Sequence, residues 1–241
     1  MGEEFDSPVV TKVATPPPRL ELYSGQYLFT AADHTGAVHE KLVSASAVRE
    51  AFTKIKIDSG WIAPEVRRWG TGKDGDWAVM YLPPQMHTLE LISEAPEAKG
   101  GVVHISTPLP GMVMFGMGVD YYLWAVKSEE LEPYKEIYRA PLPNVEPDGG
   151  ICFGTHQPPR CTSTSIKQAW KVFITTPFNN HRCDGKSKRS SEDVRVVLRD
   201  MARAPRPCQY PIADLVRQVP NTGVTLDQAI RGFFEDGEMP G

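Results

Sequence analysis

The sequence predicts an α+β fold in which short antiparallel strands come first and helices last. Between residues 66 and 126, runs of β-favouring residues recur at roughly 8–12-residue spacing, joined by Pro and Gly turns, which is the pattern of an antiparallel meander. From residue 163 onward the apolar residues recur at helical spacing instead. A chain of 241 residues, 41% hydrophobic and 23% charged, suits one enlarged domain with a full core.

In chain order, residues 1–18 end in Thr15-Pro16-Pro17-Pro18 and read as a flexible or polyproline-like leader, with 19–241 as a single domain. Residues 20–23 and 26–31 are extended. Asp33-His34-Thr35-Gly36 is turn chemistry, and 37–43 returns as the partner strand, giving an N-terminal β-hairpin over 19–43. Ser44 opens a helix to about Lys54, with Val48, Ala51, Phe52 and Ile55 on one face. The meander follows: 66–69, a Gly-rich loop at 70–75, then 77–81, 86–92, 102–106, 112–115 and 121–126. Its large side chains (Trp77, Met80, Met112, Met114 and Trp124) belong to the core rather than to a cofactor.

From residue 138 to 161 the character changes. Pro141, Pro143, Pro147, Gly149 and Gly150 exclude a helix or a central strand over 140–150. A helix is predicted over 163–174, with Ile166, Ala169, Trp170 and Phe173 on its inner face, and 175–180 breaks it. Ser190-Ser191-Glu192-Asp193 starts another, with Val194, Val197, Leu198 and Met201 inward. Helical segments at 211–219 and 225–234 form a C-terminal extension over 204–241.

The formal charge of −4 gives no electrostatic case for a nucleic-acid partner. No run approaches the ~18 apolar residues of a membrane span. The start, MGEEFDSPVV, lacks the basic, apolar character of a signal peptide, so a cytoplasmic protein with reduced thiols at Cys152, Cys161, Cys183 and Cys208 is expected.

Cys152 stands between a long irregular loop and Gly154-x3-Pro158-Pro159. A cysteine on such a loop is a reactive-thiol candidate, although Ile151-Cys152-Phe153 also reads as a buried apolar tripeptide. Pro143-Asn144, then eight positions to Cys152 through a Gly-containing loop, resembles the active-site signature of ubiquitin-conjugating enzymes, in which His-Pro-Asn precedes Ile-Cys-Leu. The sequence is more closely similar to the prokaryotic family-D members of that superfamily, such as those of PRTRC plasmid cassettes. It shares residues 20–23, Pro108-Leu109-Pro110, residues 140–145 with Gly150-Ile151-Cys152-Phe153-Gly154, and Phe178-Asn179-Asn180-His181.

This resemblance implies a UBC-like fold, an antiparallel β-meander flanked by an N-terminal helix and C-terminal helices, with the β-hairpin added at the N-terminus. It implies that Cys152 accepts a ubiquitin-like modifier as a thioester from a ThiF-like activating enzyme and passes it to a protein or other amine-bearing target. Asn144 would then supply an amide N–H to the oxyanion, unless it is an Asx-turn residue organising the loop. His181 would take the amine's proton, with His156 as a second possible helper. One departure stands out: Leu142 occupies the position of the signature's His.

Two further readings stay open, a non-catalytic binding or scaffold module of the same fold and a metal-stabilised cysteine protein. Cys152, His156, Cys161, His181 and Cys183 are soft ligands, but no Cys-x2-Cys pair is present, so neither a metal nor a cofactor is expected.

Overall fold

The structure, a computed structural model, describes residues 17–23, 26–54, 57–61, 65–72, 75–94, 100–205 and 209–235. The expected leader lies outside the described residues except for Pro17 and Pro18, as does Cys208. The chain divides into two compact units, residues 1–55 and 56–241.

In the first unit, β1 (Arg19–Tyr23), β2 (Gln26–Ala32) and β3 (Val38–Val43) form a three-stranded antiparallel sheet in that order. Asp33 organises the turn between β2 and β3. Its Oδ1 accepts from the Thr35 amide at 2.8 Å and the Ala37 amide at 3.1 Å. The Thr35 hydroxyl and the nearby His39 hold the Asp33 carboxyl down at about 2. Helix α1 (Ala45–Lys54) starts where the Ser44 hydroxyl accepts from the Ala47 amide.

The second unit is built on a six-stranded antiparallel sheet. Its strands are β4 (Ile57–Trp61), β5 (Val66–Gly72), β6 (Gly75–Leu82), β9 (Gly111–Met117), β10 (Asp120–Val126) and β11 (Tyr138–Arg139). They lie in the order β11-β10-β9-β6-β5-β4. The remaining two strands, β7 (Gln85–Ile92) and β8 (Val102–Leu109), pair with each other as a separate ribbon, and Leu91 of β7 also bridges Phe178.

The uninterrupted meander expected from the sequence is therefore corrected. The chain leaves the sheet after β6, makes the ribbon, and returns so that β9 pairs with β6 from Trp77↔Met117 to Leu82↔Met112. Strand spacing alone could not show this, because a hairpin leaving a sheet has the same spacing as one within it. The 70–75 loop also shrinks, since β5 and β6 extend to pair Gly72 with Gly75.

Three helices follow: α2 (Ile166–Thr175), α3 (Val194–Arg203) and α4 (Leu226–Glu235). Helix α2 begins at Ile166 rather than at the expected residue 163, preceded by a turn in which Thr162 and Ser165 exchange amide–hydroxyl bonds of 2.8 and 3.0 Å. Asp193 caps α3 by accepting from the Arg195 amide at 2.9 Å.

The helix expected at 211–219 is not formed beyond a 3-10 turn at Ile212–Asp214. The backbone instead runs extended beside β11, with the Arg139 amide donating to Val216 and the Gln218 amide to Ile137. Among the described residues no helix is long and apolar enough to cross a membrane.

The sheet is buried on both faces. One face carries Ala78, Met80, Met112, Met114, Tyr121, Leu123 and Ala125. It packs with Leu89, Leu91 and Leu109 of the ribbon, with Trp170 and Phe173 of α2 and with Leu198 of α3. The alternate residues Trp77, Val79, Tyr81, Val113, Phe115, Trp124 and Val126 face the other way, against Leu226, Ala229, Ile230 and Phe233 of α4. Two-sided burial explains why these strands read as continuous apolar runs rather than as alternating ones.

Phe233 closes the second face, with ring centroids 4.4 Å from Tyr122 and 5.0 Å from Phe115. Phe233→Ala should therefore lower stability by about 3–5 kcal/mol, the usual cost of emptying a core aromatic site, read as a shift in the urea midpoint. A shift under about 1 kcal/mol would show that α4 is not an integral part of the core.

Candidate functional site

The loop between β11 and α2 carries Cys152 and is held almost entirely by its backbone. Beyond β11, the free edge of β10 is filled by residues 149–151. The Leu123 amide donates to Gly149 and the Ile151 amide to Tyr121, both at 2.8 Å, with a bridge between Tyr122 and Gly150. The same segment folds back on residues 144–146. The Cys152 amide donates to the Asn144 carbonyl at 2.8 Å and the Glu146 amide to Gly150 at 2.7 Å. Asn144 and Cys152 thus face each other across a small hairpin.

The sequence suits this hairpin. Pro147 and Gly149 stand where a tight turn favours them, after Glu146 as its first residue. Gly149 has φ +103°, and a Cβ there would run into the Trp124 indole, so no other residue fits. Asn144 takes φ +58°, a conformation that Asn tolerates better than most residues.

Three side chains from distant segments supply donors to successive parts of the turn. Lys186 Nζ donates to the Val145 carbonyl at 2.5 Å, Gln218 Nε2 to Pro147 at 2.5 Å and Trp124 Nε1 to Asp148 at 3.0 Å. None of these was apparent from the sequence, because each comes from a distant segment.

Beyond Cys152, Phe153 packs its ring between Tyr121 and Phe173, with centroids at 5.7 and 6.1 Å. The next residues form a surface excursion, closed where the Cys161 amide donates to Gly118 and the Tyr121 hydroxyl to Pro159.

Cys152, Asn144 and His181 line one shallow, open depression together with Gly154, Asn179, Asn180, Arg182 and Asp184. The two walls are joined through the backbone, as the Asn144 amide donates to the His181 carbonyl at 2.9 Å. The His181 amide in turn donates to Asn179 Oδ1 at 2.8 Å. His156 is not brought into this lining. It is exposed on the excursion, with its amide on the Phe153 carbonyl at 3.1 Å.

Asn144 Oδ1 is buried and has no hydrogen-bond partner among the described residues, so its side chain does not organise the loop as an Asx turn. Its backbone does that instead. Leu142 is fully buried and part of the main core, so the position of the signature's His is used here for packing.

The described thiols differ in kind. Cys161 and Cys183 are buried, and burial pushes each up to about 12. Cys152 is half-buried and opens on the depression. Among the described residues no three His, Cys, Asp or Glu side chains group as a metal site.

Compared with known families, the chain matches the model of prokaryotic E2 family D over residues 39–218, most of its length. The chain belongs to prokaryotic E2 family D. No curated protein and no solved structure gives a match. The family match spans β3, α1, both β-sheets of the second unit, the Cys152 hairpin, α2 and α3.

In this family-D chain the hairpin rests on a buried amine. Lys186 is 2% exposed, and burial, with Arg139 beside it, holds its ammonium down at about 8 from the ordinary 10.5. Cys183, Asp184 and Glu146 act in the opposite sense. Below about 8 the amine is protonated in both folded and unfolded chains. Between about 8 and 10.5 the unfolded chain keeps a proton that the folded one has released, so folding gains stability as pH rises. Urea midpoints measured from pH 8 to 10.5 should move in favour of the wild type relative to Lys186→Met. A constant difference would mean that Lys186 titrates alike in both states.

Proposed function

We propose that the protein is a conjugating enzyme that accepts a ubiquitin-like modifier from a ThiF-like activating enzyme as a thioester on Cys152 and transfers it to an amine. The observation that carries this reading is the pairing of Asn144 with Cys152 across a backbone-fixed hairpin, with the thiol opening on a depression that His181 also lines. Membership of prokaryotic E2 family D supports it in general terms.

The chemistry assigns each residue a task. The Cys152 sulfur attacks the incoming thioester as thiolate, the form that acts as nucleophile. With Asn144 Oδ1 buried, its Nδ2 is the end that can donate to the carbonyl oxygen as negative charge develops there. His181 accepts the proton that the attacking amine must lose. The depression is open enough for a protein modifier on one side and a protein-borne amine on the other, so catalysis rests on placing the groups rather than on enclosing them.

With activating enzyme, modifier and ATP, the wild type should form an adduct on a non-reducing gel that thiol reductant removes, and Cys152→Ala should form none. Persistence of the adduct in Cys152→Ala sinks the assignment. No adduct, with pathway function kept in Cys152→Ser, would favour a binding module instead. Asn144→Ala should load normally but transfer to amine roughly 10²-fold more slowly, the usual loss on removing one oxyanion donor.

A further inference from the structure

A carboxylate beside the depression, outside its lining, has no role in the transfer described above. Glu146 stands at the start of the hairpin turn, and its two oxygens reach the opposite wall. Oε2 is 2.6 Å from Arg182 Nε and Oε1 is 3.6 Å from His181 Nε2. We propose that Glu146 is a positioning residue for amine attack, its carboxylate holding His181 with Nε2 turned toward Oε1 and Nδ1 left free to take the proton of the nitrogen attacking at Cys152. This inference rests on the thioester reading of Cys152.

Both ends of the pair stand on backbone tied to the nucleophile's hairpin. The Glu146 amide donates to Gly150 at 2.7 Å and its carbonyl accepts from Gly149 at 3.0 Å, so the side chain leaves the turn in a fixed direction. The His181 carbonyl accepts from the Asn144 amide, and its own amide is held by Asn179. Arg182, at φ +52°, takes the second carboxylate oxygen and fixes the carboxylate's orientation. At 3.6 Å the Glu146–His181 contact is longer than a hydrogen bond, so the carboxylate acts on the imidazole electrostatically: it favours the proton on the nearer nitrogen, leaves the lone pair on the other and stabilises the imidazolium once formed.

The step balances without a further reactant. As the amine attacks, the C–N bond forms and one N–H proton passes to His181 Nδ1. The C–S bond then breaks, its electron pair leaves on Cys152 Sγ, and the sulfur recovers the proton from the imidazolium. The product is an amide and the free thiol.

The test loads Cys152 by exchange with a synthetic peptide thioester ending in Gly-Gly and follows discharge to lysine and to hydroxylamine by intact mass. Hydroxylamine is unprotonated and strongly nucleophilic at neutral pH, so it makes little use of a proton acceptor. Glu146→Gln should load like the wild type and discharge to hydroxylamine at the same rate. Its discharge to lysine should be about ten- to a hundredfold slower, up to the lower end of the ~10²–10⁴-fold that a general base contributes, since His181 itself remains. If Glu146 acts through His181, the double variant with His181→Gln should be no slower than His181→Gln alone.

Glu146→Gln discharging to lysine at the wild-type rate, slowing both nucleophiles equally, or adding its effect to that of His181→Gln would each overturn the inference alone. A wild type that takes no adduct on Cys152 would overturn the thioester reading and this inference with it.

Discussion

The outer edge of β10 is the constraint on which the site depends. A strand edge presents unpaired N–H and C=O groups that must find partners when covered. Here the edge is shared between two segments. Trp124 and Ala125 pair with β11, and the Tyr121–Leu123 stretch takes residues 149–151. The chain must therefore return to β10 after leaving it at β11, and the hairpin it makes in doing so carries Asn144 on its outgoing arm and Cys152 at the end of its returning one. The position of Cys152 follows from sheet pairing, one residue past the last edge bond.

Burial of the sheet on both faces makes this arrangement rigid. Trp124 faces α4 in the second core cluster, yet its indole N–H reaches the Asp148 carbonyl in the hairpin. Tyr121 faces the first cluster, and its hydroxyl holds the Pro159 carbonyl on the far side of the Cys152 excursion. Two residues of one strand thus anchor both flanks of the Cys152 loop from opposite sides of the sheet.

Much of this was legible in the sequence, and the gaps have physical causes. The helical faces of α2 and α3 were read correctly, because Ile166, Ala169, Trp170, Phe173, Val194, Val197, Leu198 and Met201 follow the 3.6-residue period and are buried. The Asn144-to-Cys152 spacing pointed to a loop of defined geometry, and the turn residues Pro147 and Gly149 were visible in it. The detour through β7 and β8 was not, since pairing order is a long-range property that local patterns do not encode. The segment at 211–219 was taken for helix because its apolar spacing allows one, but bonds to Ile137 and Arg139 override that preference. Glu146 was passed over because its partners, His181 and Arg182, lie more than thirty positions away in sequence.

Leu142 is the point at which the general E2 plan and this chain part. Where the resembling signature has a His to shape the loop, this chain has a fully buried aliphatic side chain, so the work of shaping falls elsewhere. The Asn144 amide on His181, the Cys152 amide on Asn144, and the donors from Lys186, Gln218 and Trp124 together fix what one imidazole would otherwise help to fix. Backbone bonds are well suited to the task, because they hold the loop without occupying the depression that donor and acceptor must share. An orphaned Asn144 Oδ1 accompanies the same solution: the residue is positioned by its main chain, and its side-chain oxygen has no hydrogen-bond partner among the described residues.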